Sequence, residues 1–459
     1  MRTFIFGLAL IALTGFVNIG IIALDDYYNV IAKIIPAQGI TFQSVIDSHG
    51  VHSPIAALIL LVVSKIGLAF GLVEPVGQLR FVLVSVGVFS YLAHYAAGRR
   101  IFSFDKNLSA IFAFLLSFYF VAPLFFSRAM VETLSAPCVS LSVMFACLYY
   151  EARNRWHLVG CALAVILAFQ IRYQALAIVP GLVFLLLWEQ RIRDVIAFIA
   201  FLFVGLSLSA VLEWALTGKL FGLLIPYLSY NLHHSSGHGV VPFYMYVLLF
   251  AGLSLPPVFF SRYRGFTFSK YKPLLPVLAC FLSFVLMHSI IPHKEERFMV
   301  PALGLFLMLL VPLADFLKGQ RWRGATFCLM NFLLLPFVSF VIPQKNVIQI
   351  ARHVDPTTTR VIGVNDTLLL YPSAYSLWNG EVMELPAEKV QDFEFTCTDL
   401  IAVRRDYETL VPLAQWTRVM ESKPGLFESL IIRLNPKQNA RRGPIDLYRV
   451  NTTKNRLCH

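Results

Sequence analysis

His293-Lys294-Glu295-Glu296-Arg297 is a run of ionisable or imidazole side chains set between two apolar stretches, one ending at Ile291 and the other starting at Phe298. Each stretch is long enough to cross a bilayer. A charge at hydrocarbon depth costs roughly 2.5–3.5 kcal/mol on insertion scales, so chains keep such residues there mainly for function. A turn between two transmembrane helices needs one or two turn residues, not this cluster. The run therefore sets the class, a polytopic membrane protein, and marks where its chemistry should be sought.

The rest of the chain agrees. Of 459 residues, 58% are hydrophobic and 14% charged, and the mean hydropathy is +0.69; a soluble enzyme does not have this balance. The 40 Phe and 18 Tyr suit lipid-facing and interfacial surface. Lys and Arg number 38 against 26 Asp and Glu, a net charge of +12. In a soluble chain that excess would point to nucleic acid. Here the basic residues gather in short loops between apolar runs, where the positive-inside rule and anionic headgroups account for them, so no nucleic-acid partner is expected. Cys138, Cys147, Cys161, Cys280 and Cys328 lie in apolar stretches and read as packing residues. Cys397 and Cys458 lie in polar sequence, and their positions leave a disulfide between them open. Met1-Arg2 and the apolar run from Phe4 lack a convincing cleavage site and read as an uncleaved first helix.

Apolar runs occur at about 4–23, 54–72, 79–97, 108–126, 134–150, 158–171, 174–188, 195–214, 243–260, 274–291, 298–317 and 324–342. Basic linkers at 99–106, 153–155, 191–193, 262–272 and 318–323 place those loops in the cytoplasm. The external segments are then 127–133, the turn at Arg172, 215–242, the His293–Arg297 run and everything after 342. Parity adds a constraint. Arg2 holds the N-terminus inside, yet 79–97 must enter from outside to deliver Arg99 to the cytoplasm. The run 54–72 therefore cannot be a complete crossing and is expected as an in-plane or re-entrant helix of one long external loop, about 24–78. The pair 158–171 and 174–188 are short for spans and rely on burial in the bundle. After 342 the sequence changes character. Arg360-Val361-Ile362-Gly363-Val364 and Asp399-Leu400-Ile401-Ala402-Val403 read as short buried strands among helix-compatible polar stretches. The expected fold is an all-α polytopic membrane protein with about 11 transmembrane helices and a long first external loop (1–342), followed by a small external α/β domain (343–459).

Several external segments carry polar residues at membrane level. Asp25-Asp26-Tyr27-Tyr28 follows the first helix; one carboxylate suits a general base with the other tuning it, and the plain alternative is a solvated loop start. Arg128 and Glu132 are four apart and share a face if the segment is helical; Arg128 then suits a lipid phosphate with Glu132 orienting it, or the two form an interfacial ion pair. His233, His234 and His238 invite a zinc reading, but the intervening Ser and Gly argue against a helix pairing His234 with His238, and no carboxylate or Cys lies close by. A flexible loop contacting a sugar or phosphate fits better, and no metal is expected. Arg172, after Gln170, is a pocket cation or a snorkelling residue. Carboxylates early in the chain and cations at later helix ends, all on one face, suit a reaction in which a lipid phosphate leaves and a carboxylate deprotonates an incoming hydroxyl. No Walker or GxGxxG loop is present, so no soluble nucleotide donor and no cofactor are expected.

These segments, in this order, resemble the Alg9/PIG-B-like mannosyltransferases (glycosyltransferase family 22, the GT-C membrane fold). His293-Lys294-Glu295-Glu296-Arg297-Phe298 is the family's HKEERF signature. Asp25-Asp26-Tyr27-Tyr28 resembles its acidic first-loop motif, and Gly50-Val51-His52-Ser53-Pro54 its GIRSP segment. Ser127-Arg128 to Glu132 resembles its S-R-T…E loop, and Gly239 to Tyr246 its aromatic stretch. The resemblance covers about 1–342 and departs at Ala23-Leu24, where His-Pro is usual, at His52, where Arg is usual, and in the missing Trp pair. It implies an inverting, metal-independent enzyme that transfers mannose from polyprenyl- or dolichyl-phosphate mannose to a glycan or glycolipid acceptor. Asp25 matches the base, with Asp26 as fallback. His293, Lys294, Arg297 and Arg128 would bind the donor phosphate, supported by Glu132, Arg172, His52, His234, His238, Tyr244, Glu295 and Glu296. The expected location is a bacterial inner membrane with a periplasmic site, or alternatively the endoplasmic reticulum with a luminal one. A transporter or flippase of lipid-linked glycans is the competing expectation; it calls for inverted repeats and broken helices near the midplane, and the sequence displays neither.

Overall fold

The computed structural model describes residues 2–48, 53–234, 237, 239–259, 268–434, 436–439, 442–453 and 456–457. The chain divides into two compact units, one of Met1–Val17, Phe42–Leu60 and Val82–Ser339 and one of Asn18–Thr41, Leu61–Phe81 and Phe340–His459.

Apolar runs become helices here because, in hydrocarbon, each backbone N–H and C=O must find its partner within its own segment. Among the described residues six helical stretches are long and apolar enough to cross a membrane: Pro75–Ile101, Val131–Ala152, Ile192–Thr217, Lys270–Ile290, Glu296–Lys318 and Arg321–His353. Five more apolar helices, Arg2–Val17, Ile55–Ala69, Lys106–Phe118, Arg155–Ile171 and Tyr173–Trp188, have 10–17 residues. At 1.5 Å per residue even the longest of these covers about 26 Å, short of a ~30 Å hydrocarbon core. Among the described residues six helices thus meet the length of a crossing by themselves, and the expected count of about eleven requires the shorter apolar helices to cross as well. The run 54–72 is the helix Ile55–Ala69. The run 243–260, expected as one span, is broken into Met245–Leu253 and Pro256–Phe259. The cause is Pro256-Pro257: proline lacks an N–H, and it steers the residue before it away from helical geometry. The loop 215–242 contains a helix of its own, Leu224–His234.

In the first unit, Val131–Ala152 and Glu296–Lys318 each have 72% of their apolar window buried, against 33% for Ile192–Thr217. The first two are therefore central and the third peripheral. Ile192–Thr217 turns Ile196, Phe203, Val204 and Leu208 outward, as a helix apolar all round does when lipid is its solvent. The helix Val300–Lys318 packs on Val131–Ala152 and on Lys106–Phe118. Gly304 makes that approach: a Cβ there would fall inside contact distance of His94 Cδ2 and Ser140 Oγ.

The second unit contains a five-stranded mixed sheet, ordered β2-β1-β3-β5-β4, from β1 (Arg360–Val364), β2 (Glu381–Leu385), β3 (Leu400–Arg404), β4 (Trp416–Ser422) and β5 (Ile445–Val450). Strand β1 runs parallel to β2 and β3, and β5 antiparallel to β3 and β4. Ile362, Val364, Ile401, Val403, Trp416 and Tyr448 form its core. Both expected strands are present, the second beginning one residue later because Asp399 stays outside the ladder, buried and paired with Arg360 at 2.5 Å. Cys397 is disulfide-bonded; Cys458 lies outside the described residues. Parallel neighbours need a crossover, and the β1–β2 crossover, 365–380, passes through the short turn Ser373–Tyr375 instead of an α-helix.

Gly304→Ala is expected to destabilise the bundle by about 1–3 kcal/mol through overpacking, read as a lower melting temperature in detergent. Gly252→Ala, where a Cβ meets nothing within 4 Å, should leave it unchanged. Equal melting temperatures for the two variants would contradict the packing described.

Candidate functional site

The signature run joins the helices Leu275–Ile290 and Val300–Lys318 through an extended stretch and the short turn Glu296–Met299. Arg297 is buried and forks onto Glu295, Nε donating to Oε2 at 2.6 Å and Nη2 to Oε1 at 3.2 Å. His293 Nε2 lies 2.9 Å from the same Oε1. Burial pushes the Glu295 carboxyl up, but Arg297 and His293 outweigh it and hold it below the ordinary glutamate value. Lys294 is buried too. Its ammonium donates to the carbonyls of Ile291 at 2.6 Å and Val241 at 3.0 Å, and among the described residues it meets no carboxylate. Desolvation lowers its pKa. Two further bonds fix the run: Tyr246 Oη donates to the Glu295 carbonyl at 3.2 Å, and the Val241 N–H to the Pro292 carbonyl at 3.0 Å. Glu296 is exposed.

A second pair joins residues 40 apart in sequence. Glu132 stands in the first turn of Val131–Ala152, where the helix dipole favours a carboxylate. Arg172 is the extended residue that ends Arg155–Ile171. Both are buried, and Arg172 donates from Nη1 to Glu132 Oε1 and from Nη2 to Gln174 Oε1. Phe298 links the two pairs. The Arg172 Cζ lies 5.2 Å and the Arg297 Cζ 5.4 Å from its ring centroid, both within cation–π range. Arg128 does not share a helical face with Glu132, because the helix starts at Val131; it is buried in the turn before it. Ser53 donates to the Gln170 carbonyl at 2.7 Å, which brings the start of the helix Ile55–Ala69 to the Arg172 turn.

Other residues belong to this neighbourhood and were not singled out in the sequence. His288 is buried on Leu275–Ile290, its ring stacked on Phe284 at 4.1 Å and its Nε2 without a hydrogen-bond partner among the described residues. Glu213, buried in Ile192–Thr217, accepts from Tyr173 Oη at 3.0 Å and from the N–H groups of Leu223 and Leu224 at 3.0 and 3.2 Å. It thereby caps the helix Leu224–His234, whose Tyr227 ring packs 5.1 Å from Tyr173. The signal for both was present: a lone imidazole and a lone carboxylate inside apolar runs. Tyr244, an expected contact, is exposed just before the helix Met245–Leu253. Tyr246, two residues on, is the one that reaches the signature.

The acidic motif lies in the second unit, on the six-residue helix Leu24–Asn29. Asp26 is buried and its Oδ2 accepts the Ala23 N–H at 3.2 Å, so it shapes the start of that helix. The side chains of Asp25 and His234, and all of His52 and His238, lie outside the described residues.

A family model for Alg9-like mannosyltransferases matches residues 47–355. The chain belongs to the Alg9-like mannosyltransferase family. The match begins after Asp25-Asp26 and takes in the signature, the Arg172 turn and Glu132. Over 170 residues the chain is 26% identical to GPI mannosyltransferase 3 of Kluyveromyces lactis. That stretch is 34% of this chain and 28% of the yeast protein, so the chain spans under a third of that relative's length. Two solved structures of ArnT from Cupriavidus metallidurans are similar in fold at 13% identity. The one bound to undecaprenyl phosphate has a TM-score of 0.58 over 98% of both chains, and the apo one 0.59 over 97% of both. This likeness supports the GT-C architecture expected from the signature.

Glu132→Gln leaves a buried guanidinium without its counter-ion, which typically costs about 3–5 kcal/mol. The variant is expected to lose that much stability in a denaturation assay, and the double variant Glu132→Leu/Arg172→Met to regain a large part of it. Additive losses in the double-mutant cycle would show that the two side chains do not act as a pair.

Proposed function

We propose that the protein is a membrane glycosyltransferase that moves a mannosyl residue from a polyprenyl- or dolichyl-phosphate donor to a hydroxyl of a glycan or glycolipid acceptor. The reading rests on Lys294. It is a buried ammonium that donates to two carbonyls and meets no carboxylate among the described residues, with the guanidinium of Arg297 three residues on and that of Arg172 across the Phe298 ring. Such a cation set is complementary to a phosphate, and a guanidinium offers the planar fork that phosphate oxygens accept. A neighbour in fold that binds undecaprenyl phosphate adds support for a lipid phosphate as the donor's leaving group.

In this mechanism the acceptor oxygen attacks the anomeric carbon as the bond from that carbon to the phosphate oxygen breaks. The electron pair leaves with the lipid phosphate, whose added charge Arg172, Lys294 and Arg297 stabilise. Asp25 takes the acceptor proton, and attack opposite the leaving group inverts the anomeric centre. Asp26, committed to the Ala23 N–H, is the less suitable base. Glu295 and Glu132 orient the two guanidinium groups. A disulfide-bonded Cys397 fits a C-terminal domain in an oxidising compartment, in keeping with a periplasmic or luminal site.

With purified protein and polyprenyl-phosphate mannose, Asp25→Asn is expected to lower turnover by about 10²–10⁴-fold, the usual contribution of a general base, while inserting and folding normally. Full activity in both Asp25→Asn and Asp26→Asn would remove the carboxylate from the mechanism.

A further inference from the structure

The acidic motif sits on a helix of six residues, and isolated helices shorter than about 12–15 residues are marginal. Something else must hold it. Within the second unit, that support is the C-terminal domain, chiefly the β1–β2 crossover. Tyr27, adjacent to Asp26, is buried. Its Oη accepts the Ala374 N–H at 2.9 Å and shares a hydrogen bond with Ser373 Oγ at 3.0 Å. Tyr28 Oη donates to the Leu369 carbonyl at 3.1 Å. Gln38 Nε2 donates to the carbonyls of Ser373 at 2.6 Å and Ser376 at 2.8 Å. On the other side of the motif, Tyr375 Oη donates to the Ile19 carbonyl at 2.5 Å, and the Ile21 N–H to the Pro343 carbonyl at 3.1 Å. Gly20 lies so close to Pro343 that a Cβ would clash with its ring. Residues on both sides of the acidic pair are thus bonded to the same domain.

A general base must be held closely, because a misplacement of about 1 Å can cost roughly 10²-fold in rate. We propose that the C-terminal domain is the platform that registers the Asp25-Asp26 backbone, and that Tyr27, clamped by Ser373 and Ala374, is a positioning residue for transfer. This rests on the assignment of the acidic motif as the base. It also gives the crossover 365–380 a reason to do without a helix. The carbonyls of Leu369, Ser373 and Ser376 and the Ala374 N–H are the docking surface, and an α-helix would commit such groups internally.

The test uses the full chain. Tyr27→Phe keeps the ring and removes the clamp hydroxyl; Ser373→Ala removes only one partner and serves should Tyr27→Phe fold poorly. Two readouts are taken: transfer kinetics with polyprenyl-phosphate mannose, and hydrogen exchange of residues 19–41. The expected result for Tyr27→Phe is faster exchange confined to 19–41, with kcat lower by about 10–100-fold and the donor KM changed less than about twofold. Wild-type kcat in a variant whose 19–41 segment exchanges faster overturns the positioning role. Unchanged exchange together with unchanged kcat overturns the clamp itself. Asp25→Asn, run alongside, separates the two readings: full turnover there rejects the base assignment whatever Tyr27→Phe does. An inactive Asp25→Asn beside a fully active, loosened Tyr27→Phe rejects only the positioning.

Discussion

An ion inside an apolar bundle must be matched, and the Glu132–Arg172 pair is where that constraint acts most strongly. Even at an effective dielectric near 20, opposite charges 4 Å apart attract by about 4 kcal/mol, and each alone would bear a desolvation cost of several kcal/mol. The two residues are 40 apart, so satisfying them joins the start of Val131–Ala152 to the end of Arg155–Ile171. Once joined, they present the Arg172 guanidinium to Phe298. That ring in turn receives Arg297, the last ionisable residue of the signature.

The same logic explains why the signature contains glutamates. Glu295 keeps Arg297 and His293 in place at 2.6 and 2.9 Å, so it serves the cations more directly than any substrate. Lys294 escapes this neutralisation; carbonyl dipoles hold it without cancelling its charge. Chemistry that needs fixed positive charge near a leaving phosphate is served better by this than by a set of fully paired ions, because the unmatched charge has already been desolvated by the protein. The second unit contributes the other half of the account, an acidic loop too short to order itself and a sheet domain whose crossover holds it.

Much of this was legible in the sequence, for reasons that differ by element. The signature declared itself because charges between apolar runs are energetically conspicuous. The strands β1 and β3 were visible because Arg360–Val364 and Leu400–Arg404 are short, β-branched and apolar, with polar sequence on either side. Pro256-Pro257 carried the break in the run 243–260, but hydropathy averaged over it. The partners of Glu132 and Tyr27 were not legible. Nearest-neighbour spacing suggested Arg128 for Glu132, whereas helix packing supplies Arg172. Tyr27 finds Ser373 across 346 residues, a contact that no local periodicity encodes. His288 and Glu213 carried a readable signal, a single polar group in an apolar helix, which composition alone diluted.

The central claim is that the signature end of the bundle is a phosphate site. Binding of sugar-free polyprenyl phosphate to the purified protein tests it without an acceptor or a turnover. The account predicts saturable binding that falls by at least about tenfold in Lys294→Ala and in Arg297→Ala, as loss of a charge-assisted contact to phosphate should produce. Binding equal to the wild type in both variants would contradict it.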